Sequence, residues 1–516
     1  MTRNKTAGNT ALIIILLFVV VKLVIHLYTN IFAGYGIFRD ELYYLACSAR
    51  PACGYVDQPP FSLYFLALFR PIFGDSVFVI RLIPALLGAL TVFLAGLITR
   101  KMGGGIAAII MTCTAVALAP IYLGMNYIYS MNSFDIFFWT LAFYILILIW
   151  KEDKHKYWLT LGVVIGLGML NKISMAWLVI GLIVAVLLTE KRKILLTRWP
   201  YIGGGIALLL FLPFIIWNFT HDFAHLEFMR NASQFKYSGI TRMDFITGQI
   251  LNMNPATLMV WLVGLYYLLF NRQGRQMNVL GIIYLVTCTI LLINGHSKAE
   301  YIAPAFVPLL AAGSVQFEQW ARKKQLRWLN IYIPVSIVLS GIFIAPLALP
   351  VLPEDEFIAY TKSIGMAQKS PEGKQLSDLP QYYADMHGWE NMAKTVADIY
   401  HTLSAEEQAQ AVIHVRNYGE AGAIDYYRYK YDLPQVICPH NNYWIWGWQD
   451  IDETKSVVIL VGGDREDYTD VFEQVEPAGV IVSPYAMPYE TNLPVYIGRI
   501  LKKPFKSVWP GIKNFS

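Results

Sequence analysis

Long apolar stretches, each close to the length that crosses a bilayer, recur along the first two thirds of the chain. Eleven can be counted, at residues 10–30, 76–99, 104–122, 133–150, 157–170, 173–189, 201–218, 251–270, 277–294, 302–320 and 328–349. Charged or turn-forming residues bound each stretch, and about 20 apolar residues suffice for a membrane-spanning helix. The pattern therefore predicts an α-helical polytopic membrane protein with about eleven transmembrane helices. The fifth and sixth stretches are short, which predicts either a thin pair of helices or one re-entrant unit.

Beyond residue 350 the apolar runs give way to a composition typical of soluble proteins. Residues 412–415 and 456–461 have the pattern of buried strands, and residues 420–431 have the pattern of a helix. We therefore expect two domains, a transmembrane domain over residues 1–350 and a soluble α/β domain over residues 351–516.

The loops between the apolar stretches alternate in charge. Lys and Arg cluster in every second loop, at residues 100–101, 151–156, 191–193, 272–275 and 322–327. Such loops face the cytoplasm in membrane proteins. The N-terminus is therefore predicted to be cytoplasmic, the long first loop (residues 31–75) to lie outside, and an odd number of spans to place the C-terminal domain outside as well.

Composition excludes several classes of protein. Of the 516 residues, 56% are hydrophobic and only 15% are charged, and the mean hydropathy of +0.44 is too high for a soluble protein of this size. A net charge of +5, carried largely by short loops, disfavours nucleic-acid binding. Five cysteines do not make a disulfide scaffold, although Cys47 and Cys53 share the first loop at a separation that permits a disulfide in an oxidising compartment.

Acidic residues at the predicted membrane boundary are the first candidates for chemistry. Asp40 and Glu41 are adjacent in the first loop, and Asp135 stands at the start of the fourth apolar stretch. An unpaired carboxylate is costly there, so each must be paired, hydrated or functional. The alternative is helix capping, with Asp40 or Asp135 as the cap and Glu41 in the first turn.

Residues 61–73 are too few to span the membrane. They predict a helix that lies on the outer membrane surface.

Cations stand at the same boundary as these acids. Arg81, Lys172 and Lys298 can together bind an anion such as a phosphate, although each alone is equally typical of a snorkelling or salt-bridged side chain. Acids and cations together suit the release of a sugar from a lipid phosphate. The cations stabilise the departing phosphate while a carboxylate takes the proton of an attacking hydroxyl.

The motifs that hold these residues resemble the polyprenyl-phosphate-dependent glycosyltransferases of the GT-C fold. The resemblance is to the protein O-mannosyltransferase-like group, which includes the lipid A aminoarabinose transferase. Its carriers are residues 40–44 (DELYY), 54–60 (GYVDQPP), 78–82 (FVIRL), Asp135, 170–172 (LNK) and 298–304 (KAEYIAP). In the tail, residues 417–423 and 441–447 are similar to the terminal domain of bacterial members.

The resemblance implies an undecaprenyl-phosphate sugar donor and transfer with inversion outside the cytoplasm of a bacterium, at its inner membrane. Catalytic acids are expected among Asp40, Glu41 and Asp135, with Asp40 as base or acceptor-orienting group and no covalent sugar on Glu41. Contacts to the donor phosphate and substrate are expected from a wider set, which comprises Arg81, Lys172, Lys298, Tyr301, Tyr44, Tyr55, Asp57 and Gln58. Gln58 departs from the family, which often has Lys or His at this position, and it supplies no charge.

The expected partners are the lipid-linked donor, membrane lipids and an acceptor that is lipid A, another glycolipid, a polysaccharide or a protein. No cofactor is required, although some relatives bind a divalent cation near the acids. No His or Cys spacing demands a metal, and His221 and His225 are interpreted either as a chelating pair or as part of a solvated loop.

Two other functions remain open from the sequence. A transporter or flippase for an anionic lipid-linked substrate would also need buried charges, but it would show matching halves and charges near mid-span, which this chain lacks. A catalytically inactive relative that binds lipid or sugar is the other alternative, and Gln58 is the residue that favours it.

Overall fold

A computed structural model describes residues 2–323, 325–366, 372, 374–448 and 456–516. Helices dominate the part of it that precedes residue 350. They are α1 (Thr2–Phe32), α2 (Arg39–Ser48), α3 (Phe61–Phe73), α4 (Val77–Lys101), α5 (Ile106–Leu118), α6 (Pro120–Met125), α7 (Met131–Lys151), α8 (Tyr157–Asn171), α9 (Met175–Leu188), α10 (Trp199–Thr220), α11 (Ala224–Asn231), α12 (Arg242–Asn252), α13 (Leu258–Phe270), α14 (Asn278–Asn294), α15 (Val307–Lys323) and α16 (Leu329–Ala348). Shorter 3-10 or π turns join several of them, at Glu190–Leu196, Ala232–Lys236, Pro255–Thr257, Gly274–Met277 and Ala299–Phe306.

Each of the eleven apolar stretches contains a helix, which confirms a helical membrane protein. Within the described residues, six helical segments are long and apolar enough to cross a bilayer: Gly8–Phe32, Val77–Lys101, Met131–Lys151, Trp199–Thr220, Gly274–Asn294 and Leu329–Ala348. A seventh span results if α12 and α13, which bend by 88°, are taken together. The remaining helices are shorter or less apolar, so the count of eleven spans stays a prediction.

Breaks between helices leave backbone groups that need partners inside the bundle. The break between α5 and α6 is one example, because Pro120 cannot continue the hydrogen-bond ladder. The buried ammonium of Lys22 donates to the carbonyl oxygens of Ala117 and Tyr122 there, at 3.2 and 3.1 Å. A lysine inside the apolar helix α1 is thereby satisfied by backbone rather than by an acid.

The amphipathic helix predicted over residues 61–73 is α3. Ser62, Leu63 and Leu66 are buried against the protein, whereas Leu68 and Ile72 are 74% and 73% exposed. An apolar outward face of this kind suits contact with lipid. Its position at a membrane surface stays a prediction.

The C-terminal region, residues 351–516, combines short helices with one mixed sheet. The helices are α17 (Glu354–Ser363), α18 (Gln381–Ala384), α19 (Trp389–Tyr400), α20 (Ala405–Gln410), α21 (Tyr418–Tyr431), α22 (Asn442–Trp446), α23 (Glu466–Thr469) and α24 (Phe505–Val508), with 3-10 turns at Pro488–Glu490 and Trp509–Ile512. The strands are β1 (Ala411–His414), β2 (Val436–Ile437), β3 (Val457–Val461), β4 (Phe472–Ile481) and β5 (Leu493–Leu501). The strands and the helix predicted from the sequence correspond to β1, β3 and α21.

The sheet has the order β2-β1-β3-β5-β4. β1 pairs in parallel with β2 and β3, with Val412 opposite Val458, and β5 runs antiparallel to β3 and β4. The crossover from β1 to β2 is α21, which packs against α2 near the start of the membrane helices. The sheet therefore places one of its helices directly on the first loop.

Candidate functional site

A cavity of about 480 Å³ opens where α2, the start of α7 and the break between α8 and α9 meet. α11, the end of α14 and the turn Ala299–Phe306 complete its walls. Six residues singled out from the sequence line it, namely Asp40, Tyr44, Asp57, Lys172, Lys298 and Tyr301. The structure thus brings together acids and cations that are more than 200 positions apart in the chain.

One wall of the cavity is acidic. Asp40 lies in the first turn of α2, where its Oδ1 accepts a hydrogen bond of 2.9 Å from the hydroxyl of Tyr418. Asp57 follows in the loop before α3, and its Oδ1 accepts from the hydroxyl of Tyr43 at 3.2 Å. Burial raises the pKa of Asp57 to about 7, and the charge of Asp40 adds to the rise. Asp40 does not cap α2, because the cap position belongs to Phe38.

Another wall of the cavity is cationic. Lys172 occupies the break between α8 and α9, where its Nζ donates to Asn132 Oδ1 at 2.6 Å and lies 5.5 Å from the ring centre of Tyr301. Lys298 precedes the turn Ala299–Phe306, with its Nζ 4.6 Å from the ring centre of Tyr237 and 3.8 Å from Glu300 Oε1. Each ammonium group thus has an aromatic ring beside it and one acid within 4 Å, which is Asp135 for Lys172 and Glu300 for Lys298.

Asp135 stands behind the cationic wall instead of lining it. Its side chain is 2% exposed, and its Oδ2 accepts from Ser174 Oγ at 2.8 Å and lies 3.9 Å from Lys172 Nζ. Helix capping does not explain this residue, since Ser130 caps α7. The structure therefore gives Asp135 contacts to Lys172 and to the α8–α9 break, and its catalytic role stays a prediction.

A third cation reaches the cavity from a segment that the sequence did not single out. Lys236 lies in the turn Ala232–Lys236, and its Nζ is 3.3 Å from Glu372 Oε1. Burial disfavours the charged carboxylate, but Lys236, Arg39 and Lys298 lower the pKa of Glu372 to about 2. This ion pair connects the membrane helices with the C-terminal region at the cavity rim.

A family model and several solved structures are similar to this chain. A family model described as dolichyl-phosphate-mannose-protein mannosyltransferase matches residues 57–217. The solved structure of ArnT from Cupriavidus metallidurans in the apo state superposes with a TM-score of 0.62 at 12% identity, covering 93% of this chain and 97% of that one. The chain has the GT-C fold of ArnT. The structure of that ArnT bound to undecaprenyl phosphate gives the same TM-score at 13% identity.

Curated relatives agree with this fold assignment. Lipid A galacturonosyltransferase RgtD of Rhizobium johnstonii is 24% identical over 414 residues, which cover 78% of this chain and 84% of the relative. An undecaprenyl phosphate-α-4-amino-4-deoxy-L-arabinose arabinosyl transferase of Pseudomonas fluorescens is 24% identical over 302 residues, about half of each chain. These relatives confirm the predicted resemblance to GT-C glycosyltransferases similar to the lipid A aminoarabinose transferase.

Two residues predicted for the site of this GT-C protein are instead bound to each other. Glu41 is fully buried, and Arg81, at 2% exposure, donates to its carboxylate from Nη2 at 2.7 Å and from Nε at 3.0 Å. Glu41 also accepts from the backbone N–H groups of Phe38 and Tyr129. Neither residue lines the cavity. In this structure each is the other's counter-ion, and the expected catalytic role of Glu41 and phosphate contact of Arg81 stay predictions.

Tyr55 and Gln58 also lie away from the cavity. The Tyr55 hydroxyl contacts the carbonyl oxygens of Cys47 and Arg50 at 3.1 and 3.0 Å, so the ring stabilises the loop between α2 and α3. Gln58 is fully buried, and its backbone oxygen accepts from the Tyr55 N–H. The substrate contacts expected of both residues stay predictions. Gln58 does not line the cavity, so its lack of a positive charge does not change the cations that do line it.

The histidines of the predicted outer loops contact other parts of the protein, and the cysteines are free thiols. His225 is buried with its Nδ1 2.9 Å from the Val56 carbonyl oxygen, and His221 stacks on Trp217 with ring centres 4.3 Å apart. Burial lowers the pKa of His225 to about 4. Among the described residues, no group of three His, Cys, Asp or Glu side chains is placed to hold a metal. Cys47 and Cys53 are free thiols, one buried and one exposed.

Proposed function

We propose that this protein transfers a sugar from a polyprenyl-phosphate donor to a lipid A or related glycolipid acceptor, with inversion at the anomeric carbon. The single observation that supports the proposal most is one cavity lined both by the carboxylates of Asp40 and Asp57 and by three lysines, inside a fold shared with ArnT. The activities of the relatives supply the substrate classes. A polysaccharide or a protein is the alternative acceptor.

The cationic wall is the proposed place of the donor phosphate. Lys172 and Lys298 present ammonium groups to the cavity, and the Tyr301 ring lies next to Lys172. Lys236 adds a third charge at the rim. A phosphate accepts several charge-assisted hydrogen bonds, so two or three lysines stabilise it both in the donor and as the leaving group.

The reaction proposed is a single displacement. An acceptor hydroxyl oxygen forms the new bond to the anomeric carbon while the bond from that carbon to the phosphate oxygen breaks. The electron pair leaves with polyprenyl phosphate, and the hydroxyl proton passes to the Asp40 carboxylate, which opens to the cavity. Asp57 lies close enough to Asp40 for their charges to interact. With its raised pKa it is partly protonated near neutral pH, which limits repulsion of the anionic donor.

Topology forms part of the same proposal. Residues 1–350 make the transmembrane domain and residues 351–516 the soluble domain, with the N-terminus in the cytoplasm and the C-terminal domain outside the inner membrane of a bacterium. The distribution of Lys and Arg among the loops supports this orientation. A lipid-linked donor then reaches the cavity from the bilayer, and no soluble nucleotide or other cofactor takes part.

Binding of undecaprenyl phosphate to the purified protein tests the donor site directly. Native mass spectrometry in detergent should detect one bound lipid phosphate, and Lys172→Ala and Lys298→Ala should each weaken binding about tenfold or more. Lys430→Ala is the control, because Lys430 is exposed and pairs with Glu390 in the C-terminal region. Equal binding by all four proteins would contradict the assignment of the phosphate site.

A further inference from the structure

The helix that carries Asp40 is held on its outer side by the C-terminal region. The backbone N–H of Arg39, the residue before Asp40, donates to the Asp385 carbonyl oxygen at 2.9 Å. The Arg39 guanidinium lies 3.4 Å from Asp385 Oδ2 and contacts the Tyr489 hydroxyl at 3.0 Å. The first turn of α2 is therefore anchored by residues from two separate segments of the C-terminal region.

α2 and α21 pack with very little space between them. A Cβ atom on Gly419 would lie 2.5 Å from Arg39 Cγ, and one on Gly422 would lie 2.9 Å from the carbonyl carbon of Leu42. Residues three apart share one face of a helix, so both glycines face α2. Such backbone approach is possible only where side chains are absent, which explains the glycine pair in this segment of the sequence.

Tyr418, the first residue of α21, reaches the acid of the cavity because of this packing. Its hydroxyl donates to Asp40 Oδ1 at 2.9 Å, and its ring lies 4.9 Å from the ring centres of both Tyr43 and His440. Asn417 fixes the helix start, with its Oδ1 accepting from the N–H groups of Gly419 and Glu420 at 2.9 and 3.1 Å. The phenol is thus held by its neighbours, and not by Asp40 alone.

We infer that Tyr418 is a positioning residue for Asp40, through which the C-terminal region completes the active site. The inference rests on the proposed function. With Oδ1 bound by Tyr418, the carboxylate is held in one rotamer, and its other oxygen remains available to the acceptor. Sugar transfer therefore depends on a residue 378 positions away from the acid that it orients.

The test compares two phenol-to-phenyl variants in the same region. Tyr418→Phe removes the bond to Asp40, whereas Tyr443→Phe removes an equivalent buried bond, 2.8 Å from the Tyr443 hydroxyl to Asp425 Oδ2. Transfer is followed by mass spectrometry as a sugar mass increment on glycolipid, in membranes of the source organism that lack its own copy and carry each variant. Tyr418→Phe should slow transfer about tenfold, with the loss in kcat and with the KM values for donor and acceptor nearly unchanged.

The two arms of the experiment separate the inference from the proposed function. Equal kcat and KM values for Tyr418→Phe and Tyr443→Phe would overturn the positioning role. An absence of any increment with the natural chain would instead overturn the proposed function itself. Apparent melting temperatures of both variants, measured in detergent, should be similar, since each loses one buried hydrogen bond. A much lower value for Tyr418→Phe would assign the slower rate to unfolding and reject the inference.

Discussion

Replacing Arg81 by methionine tests whether the charge of Arg81 stabilises the fold or binds the substrate. Arg81 and Glu41 are 2% and 0% exposed, and the guanidinium makes three contacts of 2.7–3.2 Å to the carboxylate. It also donates to the Tyr127 hydroxyl at 2.7 Å and to the Gly36 carbonyl oxygen at 2.9 Å. Arg81→Met removes all of these bonds and leaves the Glu41 carboxylate buried without its counter-ion.

The expected cost follows from that unpaired charge. Breaking a buried ion pair by removing one partner typically costs about 3–5 kcal/mol, most of it from the remaining charge. The double variant Glu41→Gln/Arg81→Met removes both charges, and the introduced amide keeps one oxygen that accepts from one of the two N–H groups, which donate to different oxygens of Glu41. We therefore expect the double variant to recover a large part of the loss.

Thermal unfolding in detergent, followed by tryptophan fluorescence, measures this effect. Arg81→Met should melt well below the natural protein, and the double variant should melt between the two. Undecaprenyl phosphate binding, measured on folded protein at low temperature, should be unchanged in the double variant. If Arg81→Met melted normally but lost lipid phosphate binding, Arg81 would be a substrate ligand and the structural assignment would be refuted.

Three further predictions follow from the site and its surroundings. Burial raises the pKa of Glu420 to about 7 from an ordinary 4.5, so the folded state retains a proton that the unfolded chain releases. Stability should therefore fall as pH rises from about 5 to 8, and Glu420→Gln should reduce that fall in melting experiments; an unchanged slope would contradict it. Lys236→Ala should slow transfer several-fold, whereas the exposed control Lys430→Ala should not. EDTA should leave the transfer rate unchanged, and loss of transfer that Mg²⁺ restores would show a cation requirement.

The sequence predicts helices more accurately than it predicts side-chain partners. Apolar runs mark every membrane helix because lipid demands them, and the strand and helix patterns of the C-terminal region are equally local. The break between α12 and α13 lies at Asn254 and Pro255, and polar residues of α12 leave most of that helix outside the apolar stretch 251–270. The ends and bends of helices thus depend on single residues, which the average composition of a segment does not reveal.

The site was only partly predictable for a similar reason. A charged residue at a membrane boundary is selected whether it serves chemistry or pairs inside the fold, so Asp40 and Glu41 have the same sequence signal. The structure separates them, since Asp40 opens to the cavity and Glu41 meets Arg81, 40 residues away. Tyr418 is uncharged, so a pattern of charged residues at the membrane boundary does not single it out. Only the close approach of α21 to α2, which the glycine pair permits, connects it with the acid.

The most direct measurement is mass spectrometry of envelope glycolipids from a strain in which the gene is deleted. The strain is complemented with the natural chain, with Asp40→Asn, or with Asp398→Asn, which changes an exposed acid on α19. We expect one sugar increment on a glycolipid to vanish on deletion, and to return with the natural chain and with Asp398→Asn but not with Asp40→Asn. Full restoration by Asp40→Asn, or no glycan change on deletion, would contradict the account.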